Sequence, residues 1–151
     1  MNSSFEQELE KHGSIVYPNT GHSMWPLIRE GRDLMVIEKK GPDRCRKYDA
    51  VLFKRDNGVY VLHRILEVRD RGYYIVGDNC AKGEYVREDQ VLGVMTAVVR
   101  DGKTVSVDDP AYQRYVHLWC DRYEVRSSVL SARDKLRRAA SKVKRTIIPK
   151  K

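Results

Sequence analysis

The chain has 151 residues, of which 33% are charged and 41% hydrophobic, and its formal net charge is +8. This size fits one domain with a hydrophobic core. No stretch approaches the roughly 18 consecutive apolar residues of a membrane-spanning helix, and residues 1–12 lack the apolar centre of a secretion signal. We therefore expect a cytoplasmic or peripherally membrane-associated protein.

The cysteines are odd in number and have no C-x-x-C spacing: Cys45, Cys80 and Cys120. This pattern argues against a disulfide framework and against a zinc site, and it favours a reducing compartment. We expect neither a metal ion nor a cofactor.

Short apolar runs separated by turn residues dominate the first two thirds of the chain. A helix is predicted from Ser3 or Ser4 to Lys11, ending at His12-Gly13. Strands are predicted at 34–37, 50–53, 59–68, 73–76, 91–99 and 105–107, with turns at 56–58, 71–72 and 101–102. This arrangement predicts a mainly antiparallel β domain of the α+β class.

The pattern changes to a helical period after residues 108–110. Apolar residues then recur every three or four positions, which predicts two helices or one broken helix from Pro110 to about Arg145. We divide the chain into a β domain at 1–108 and a basic helical extension at 109–151. The basic segment 125–151 has two interpretations. It packs on the sheet with a solvated basic face, or it contacts an anionic membrane surface; nucleic acid is a less favoured partner.

Three residues could supply the nucleophile, general base and orienting acid of a hydrolytic site. Ser23 lies in a predicted loop, two residues after Gly21. His63 lies within a predicted strand, and an unperturbed histidine is neutral and basic at pH 7. Asp78 follows a glycine at a strand end. Each of these residues has an ordinary structural explanation, and only their combination suggests chemistry.

The order of five short segments resembles the type I signal peptidase family. They are Ser23-Met24-Trp25-Pro26, residues 31–36, residues 48–53, His63-Arg64-Ile65 and Gly77-Asp78-Asn79, all within 20–99. More broadly, the chain resembles the serine peptidases that include repressor-cleaving autoproteases. The resemblance implies an antiparallel coiled β-sheet peptidase domain. Bacterial members have a lysine base before the arginine of the fourth segment, whereas endoplasmic-reticulum and archaeal members have histidine there, as this chain does.

The resemblance also implies a role for each site residue. Ser23 attacks the scissile carbonyl and His63 accepts its proton. Asp78 is the first choice for the acid that orients the imidazole, with Glu84 in reserve. The Ser23 N–H holds the oxyanion, with Gly21 and Met24 in the same oxyanion and substrate-binding segment.

The substrate is expected to be a peptide or protein that binds as an added β-strand. Because His63 is the base, activity is expected to fall below about pH 6. Lys54 is an alternative base that we regard as a decoy, because it lies beside the hairpin turn at 56–58.

The sequence departs from the family pattern at three places. The segment 31–36 begins with Gly31-Arg32, with Asp33 one position later than the family's aspartate. Leu27 replaces the family's threonine after Pro26, and the family's N-terminal membrane span is not visible.

These departures keep a non-catalytic alternative open. It is a signal-peptidase-like module that binds a partner, nucleic acid or a membrane surface through its basic tail. A repressor-type autoprotease is less favoured, because residues 1–19 leave no room for a DNA-binding module and a cleavable linker.

Overall fold

The computed structural model describes residues 4–147. The helices are α1 (Phe5–His12), α2 (Pro110–Cys120) and α3 (Tyr123–Ile147), and a short 3-10 turn covers Glu88–Gln90. The strands are β1 (Ser14–Pro18), β2 (Asp33–Lys39), β3 (Ala50–Lys54), β4 (Tyr60–Arg69), β5 (Gly72–Val76), β6 (Glu84–Arg87), β7 (Val91–Arg100) and β8 (Lys103–Ser106).

Helix α1 begins and ends at capping residues. The Ser4 side chain accepts a hydrogen bond from the Gln7 N–H, and the Gln7 side chain accepts one from the Ser4 N–H. This reciprocal pair satisfies backbone donors that the first turn leaves unpaired. Gly13 then ends the helix in the left-handed region with φ of 74°. Between these caps, Leu9 is buried in the core.

All eight strands join one antiparallel sheet with the order β1-β2-β7-β3-β4-β5-β6, and β8 pairs with β7. Strands β1 and β6 lie at its two edges. Along β3 the side chains alternate between two hydrophobic clusters, because successive residues of a strand point to opposite faces. Ala50 and Leu52 join the larger cluster, and Val51 and Phe53 join the smaller one. The sheet is therefore covered on both faces at its centre.

The two C-terminal helices pack against the β domain. Tyr112, Val116 and Cys120 of α2 are buried in the larger cluster. In α3 the buried residues Arg126 and Leu130 lie in the first two turns, and the described side chains from Lys135 to Lys144 are exposed. The predicted boundary at 108 falls between β8 and α2.

The structure confirms the predicted mainly antiparallel β architecture with helices before and after it. The sequence reasoning missed two strands, β1 and β6, which are short and form the sheet edges. Residues 1–3 and 148–151, on which parts of the predicted helix cap and basic segment fall, lie outside the described residues. Over 4–147, none of the helices combines the length and hydrophobicity needed to cross a membrane.

Candidate active site

The Ser23 segment is a loop between β1 and β2 that is anchored in the core. Met24 and Ile28 are fully buried, and the Ile28 N–H donates to the Met24 carbonyl oxygen at 3.0 Å. The side chain of Met24, predicted to belong to the substrate-binding segment, therefore points into the core. Ser23, next to it, lines the cleft described below.

Hydrogen bonds from two asparagines fix the main chain around Ser23. Gly21 has φ of 87°, a conformation that glycine adopts without strain, and the buried Asn19 donates to its carbonyl oxygen at 2.9 Å. The Asn79 N–H donates to the Ser23 carbonyl oxygen at 2.8 Å, and Asn79 Nδ2 donates to the His22 carbonyl oxygen at 3.0 Å. Among residues 4–147 the Ser23 N–H donates to no protein group, so it is available to an oxyanion.

The Ser23 main chain and the His63 imidazole both lie close to Gly77. A Cβ atom added to Gly77 would lie 2.7 Å from the Ser23 carbonyl oxygen, 2.9 Å from His63 Nε2 and 2.7 Å from Cys80 Sγ. The serine main chain, the imidazole and the thiol therefore converge on a space that only a hydrogen atom can occupy. His63 presents its Nε2 to the Ser23 side of the site.

The other imidazole nitrogen faces a carboxylate. His63 is 8% exposed, and its Nδ1 lies 3.9 Å from Glu84 Oε1. Glu84 begins β6, opposite Ile75 of the intervening strand β5, and its side chain reaches His63 on β4. A carboxylate beside Nδ1 is one part of the arrangement that a general-base histidine requires.

Asp78, the first choice for the orienting acid, lies in a different network. Its two carboxylate oxygens each accept a hydrogen bond from Arg64, at 2.9 Å, and the Tyr115 hydroxyl donates to it at 3.0 Å. Asp78 and Arg64 are both completely buried. His63 and Arg64 are consecutive in β4 and point to opposite faces, so Asp78 meets the arginine. The geometry favours the reserve residue, Glu84, as the acid that orients His63.

Arg55 completes the charged part of the site, and the sequence reasoning gave it no role. Its Nε donates to Glu84 Oε2 at 2.9 Å and its Nη2 donates to Glu84 Oε1. This two-point contact holds the Glu84 carboxylate beside the imidazole. The only sequence signal was the position of Arg55, directly after a predicted strand and before the turn at 56–58.

The surroundings of His63 keep its imidazole neutral. Burial lowers the pKa of His63 from 6.5 to about 4, because the charged form loses solvation; Glu84 opposes this shift and Arg55 adds to it. His63 is therefore unprotonated over the whole neutral range.

Lys54 is not placed to act as the base. Its ammonium group contacts Glu6 at 2.7 Å and lies over the Tyr60 ring, 5.2 Å from the centroid. The hydrogen bond to Glu6 raises the pKa of Lys54, whereas a lysine general base needs a lowered pKa. The contacts of Lys54 agree with its treatment as a decoy.

A cleft of about 410 Å³ runs from the Ser23 site along the sheet. Its floor is apolar, and Ser23, His63, Arg55 and Cys80 lie among the lining residues. The remaining lining residues come from α1, the end of β1, β2, β3 and the start of β4: Phe5, Tyr17, Pro18, Asn19, Thr20, Met35, Ile37, Leu52, Tyr60, Val61 and Leu62.

Two unpaired strand edges border this cleft. Within residues 4–147, strand β1 pairs only with β2. In β4, residues 60–63 pair with β3, but the pairing with β5 begins at Arg64. Backbone donors and acceptors on both sides of the cleft are therefore open to an extended peptide.

Asp33, the displaced aspartate of the segment 31–36, has a structural role. Asp33 is 1% exposed and accepts hydrogen bonds from Arg32 and Arg100 and from the Arg29 N–H. Burial alone would raise the pKa of Asp33, but the two arginines lower it well below its ordinary value. Asp33 thus fixes the end of the loop that carries Ser23.

An alanine at Gly77 should disable the site without unfolding the protein. The new methyl group would have to displace the Ser23 main chain, His63 or Cys80, and misplacement by about 1 Å can cost on the order of 10²-fold in rate. We expect Gly77→Ala to slow peptide cleavage by about that factor. Gly41→Ala is the matched control, since its Cβ would meet nothing within 4 Å. Equal rates for the two variants would contradict the convergence of groups at Gly77.

No protein-family model matches the chain, and it has no significant match among the curated proteins. Within the described part of the chain, no group of three histidine, cysteine or acidic side chains is arranged to hold a metal ion. The candidate chemistry therefore depends on the geometry of Ser23, His63 and Glu84.

Proposed function

We propose that the protein is a serine endopeptidase of the signal-peptidase type. The single observation that carries this proposal is the orientation of His63. Its Nε2 faces the Ser23 segment around Gly77, its Nδ1 faces Glu84, and both Ser23 and His63 line a cleft with an apolar floor. The chain itself supplies each role that acyl transfer needs.

In the first step, Ser23 Oγ attacks the carbonyl carbon of the scissile bond while His63 Nε2 takes the hydroxyl proton. The Ser23 N–H faces the oxygen that becomes negative in the tetrahedral intermediate. Glu84 stabilises the positive imidazolium through Nδ1. The imidazolium then gives its proton to the leaving amine, and an acyl-enzyme on Ser23 remains.

In the second step, water replaces the amine. His63 takes one proton from the water as the oxygen attacks the ester, and returns it to Ser23 Oγ as the ester bond breaks. The products are the restored serine and a carboxylic acid, which releases its proton to solvent at neutral pH. Because His63 is neutral near pH 7, it can begin each half-reaction as a base.

The substrate is proposed to be an extended peptide that adds a strand between β1 and residues 60–63 of β4. Main-chain hydrogen bonds would hold the peptide at these unpaired edges. Its side chains would alternate towards the apolar floor, which includes Ile37 and Leu52. This arrangement favours apolar residues before the cut.

A peptide-library digest tests the proposal. Wild-type protein should cleave a subset of peptides with apolar residues before the cut, and mass spectrometry of the products identifies the bonds. Ser23→Ala should leave those peptides intact while its circular dichroism spectrum is unchanged. The same cleavage by Ser23→Ala would show that Ser23 is not the nucleophile.

The pH dependence should report the charge balance around His63. We expect the acid limb of cleavage at about pH 4, because the pKa of His63 is lowered to about 4. Arg55→Gln removes a positive charge near the imidazole and releases Glu84, so the limb should move to higher pH. Lys54→Gln is the matched control, since Lys54 contacts Glu6 instead. An Arg55→Gln profile identical to that of the wild type would contradict this prediction.

Acid also destabilises the fold through the same residue, so folding must be followed in parallel. Unfolded His63 binds a proton below about pH 6.5, whereas folded His63 stays neutral down to about 4. The free energy of unfolding therefore falls between these pH values, by about 3 kcal/mol in total. Rates are compared only where circular dichroism shows the protein to be folded.

For α3 we propose contact with an anionic membrane surface. Val125, Val129, Leu136 and Val143 are each more than half exposed along one side of this helix. Around Leu136 and Val143, residues 135–144 contain five basic and no acidic residues: Lys135, Arg137, Arg138, Lys142 and Lys144. Each basic residue near such a surface contributes about 1 kcal/mol.

Vesicle sedimentation tests this contact. Phosphatidylcholine vesicles with phosphatidylglycerol should sediment the protein at low salt, and Leu136→Asp should weaken that binding. Leu118→Asp, at an exposed leucine of α2, serves as the control. Equal binding to pure phosphatidylcholine vesicles would contradict the electrostatic contribution. Binding to nucleic acid without any vesicle binding would favour the non-catalytic module.

A further inference from the structure

We infer that Arg133 of α3 is a positioning residue for the nucleophile loop and acts through Asn79. This inference rests on the proposed function for its catalytic consequence, although the contact itself belongs to the fold. Through Arg133, helix α3 helps to position the candidate site.

Arg133 contacts Asn79 directly. Arg133 Nη1 donates to Asn79 Oδ1 at 2.7 Å, and its Nη2 donates to the Asn79 carbonyl oxygen at 3.4 Å. Asp134 Oδ1 accepts hydrogen bonds from Arg133 Nε and Nη2, at 3.1 and 3.0 Å. The neighbouring carboxylate therefore holds the guanidinium in the orientation that reaches Asn79.

Asn79 in turn contacts the nucleophile loop. Arg133 occupies Asn79 Oδ1, so the amide group is oriented with Nδ2 towards the His22 carbonyl oxygen, at 3.0 Å. The Asn79 N–H meanwhile holds the Ser23 carbonyl oxygen at 2.8 Å. One residue of the 77–81 segment thus binds the two consecutive carbonyl groups on either side of the Ser23 N–H, which is the proposed oxyanion donor.

Further hydrogen bonds from α2 and α3 hold the main chain of the 77–81 segment. Trp119 Nε1 of α2 donates to the Asp78 carbonyl oxygen at 2.7 Å. The hydroxyl groups of Tyr123 and Ser127, on α3, both donate to the Ala81 carbonyl oxygen, at 3.1 and 2.6 Å. Arg133 is the member of this set that reaches the residue bound to the Ser23 loop.

Loss of Arg133 should loosen the loop and leave the core intact. Arg133 is about one-third exposed and lies outside both hydrophobic clusters. In Arg133→Ala, Asn79 loses the partner that orients its amide, and the Ser23 N–H loses its fixed direction. Preorganised donors are worth on the order of 10²-fold or more in rate, and we expect Ser23 acylation to slow at least tenfold.

The test combines two measurements on the full chain. The first is amide hydrogen exchange of Asn79, whose N–H binds Ser23 directly. The second is the rate at which a fluorophosphonate acylates Ser23. Arg133→Ala should speed the exchange and slow the acylation, with an unchanged midpoint of denaturation. Arg133→Lys, which keeps one donor, should recover part of both. Arg114→Ala, at an exposed arginine of α2, should match the wild type.

A double variant separates positioning from a general structural effect. If Arg133 acts through Asn79, Arg133→Ala combined with Asn79→Ala should be no slower than Asn79→Ala alone. Additive losses, or wild-type exchange at Asn79 in Arg133→Ala, would overturn the inference. If the wild type fails to acylate at Ser23, the proposed function fails, and the exchange measurement still decides whether Arg133 holds the loop.

Discussion

Replacing His63 with glutamine should lower the rate of peptide cleavage by about 10²–10⁴-fold, the usual contribution of a general base. Glutamine keeps a polar side chain of similar length but cannot take the Ser23 proton. Because His63 is buried beside Glu84 and Phe53, the variant also tests whether a neutral amide is tolerated there. The measurement is the initial rate of cleavage of a peptide selected with the wild type.

His22→Gln is the matched control for this prediction. His22 is adjacent to Ser23 in sequence, but its side chain is 77% exposed and faces Glu30. We expect its cleavage rate to stay within a few-fold of wild type, since the side chain lies outside the cleft. If His22→Gln lost most of the cleavage rate and His63→Gln lost little, His63 would not be the general base.

Replacing Asp78 with asparagine should lower the free energy of unfolding by about 3–5 kcal/mol. The substitution leaves the Arg64 charge completely buried without its partner, and breaking a buried ion pair from one side has this cost. Arg64 also donates to the Tyr48 carbonyl oxygen and to the Tyr112 hydroxyl, so it cannot turn outwards without breaking those bonds. Chemical denaturation monitored by tryptophan fluorescence measures the change.

Two comparisons decide what the Asp78 result means. Asp56→Asn breaks an exposed pair with Arg87 and should change stability little. Glu84→Gln should reduce activity far more than stability, because Glu84 is part-exposed and faces His63. If Asp78→Asn were fully stable yet inactive, Asp78 would be the orienting acid and our reassignment to Glu84 would be wrong.

The central strands could be predicted because their sequences combine apolar runs with explicit turn signals. The turn at 56–58 predicts the hairpin of β3 and β4, and the turn at 71–72 predicts that of β4 and β5. Four of the five side chains of the edge strand β1 are exposed, and the edge strand β6 has only four residues. Neither sequence shows an apolar–polar alternation long enough to identify a half-buried strand.

The pairing of charged residues could not be predicted from spacing. Asp78 and Glu84 are both near the place where an orienting acid is expected, and the choice between them depends on which face of β4 each reaches. The register of β5 against β6 brings Glu84 to the His63 side, and Arg64 takes Asp78 on the other. Likewise, nothing in the helical period of α3 indicates that Arg133 reaches Asn79.

Covalent labelling of Ser23 tests the central claim most directly. Folded wild-type protein is incubated with a fluorophosphonate at pH 7, and intact-mass and peptide mass spectrometry locate the adduct. Our account predicts one adduct, on Ser23, that is absent from Ser23→Ala and forms far more slowly in His63→Gln. An unlabelled wild type, or an adduct on a residue other than Ser23, would contradict the account.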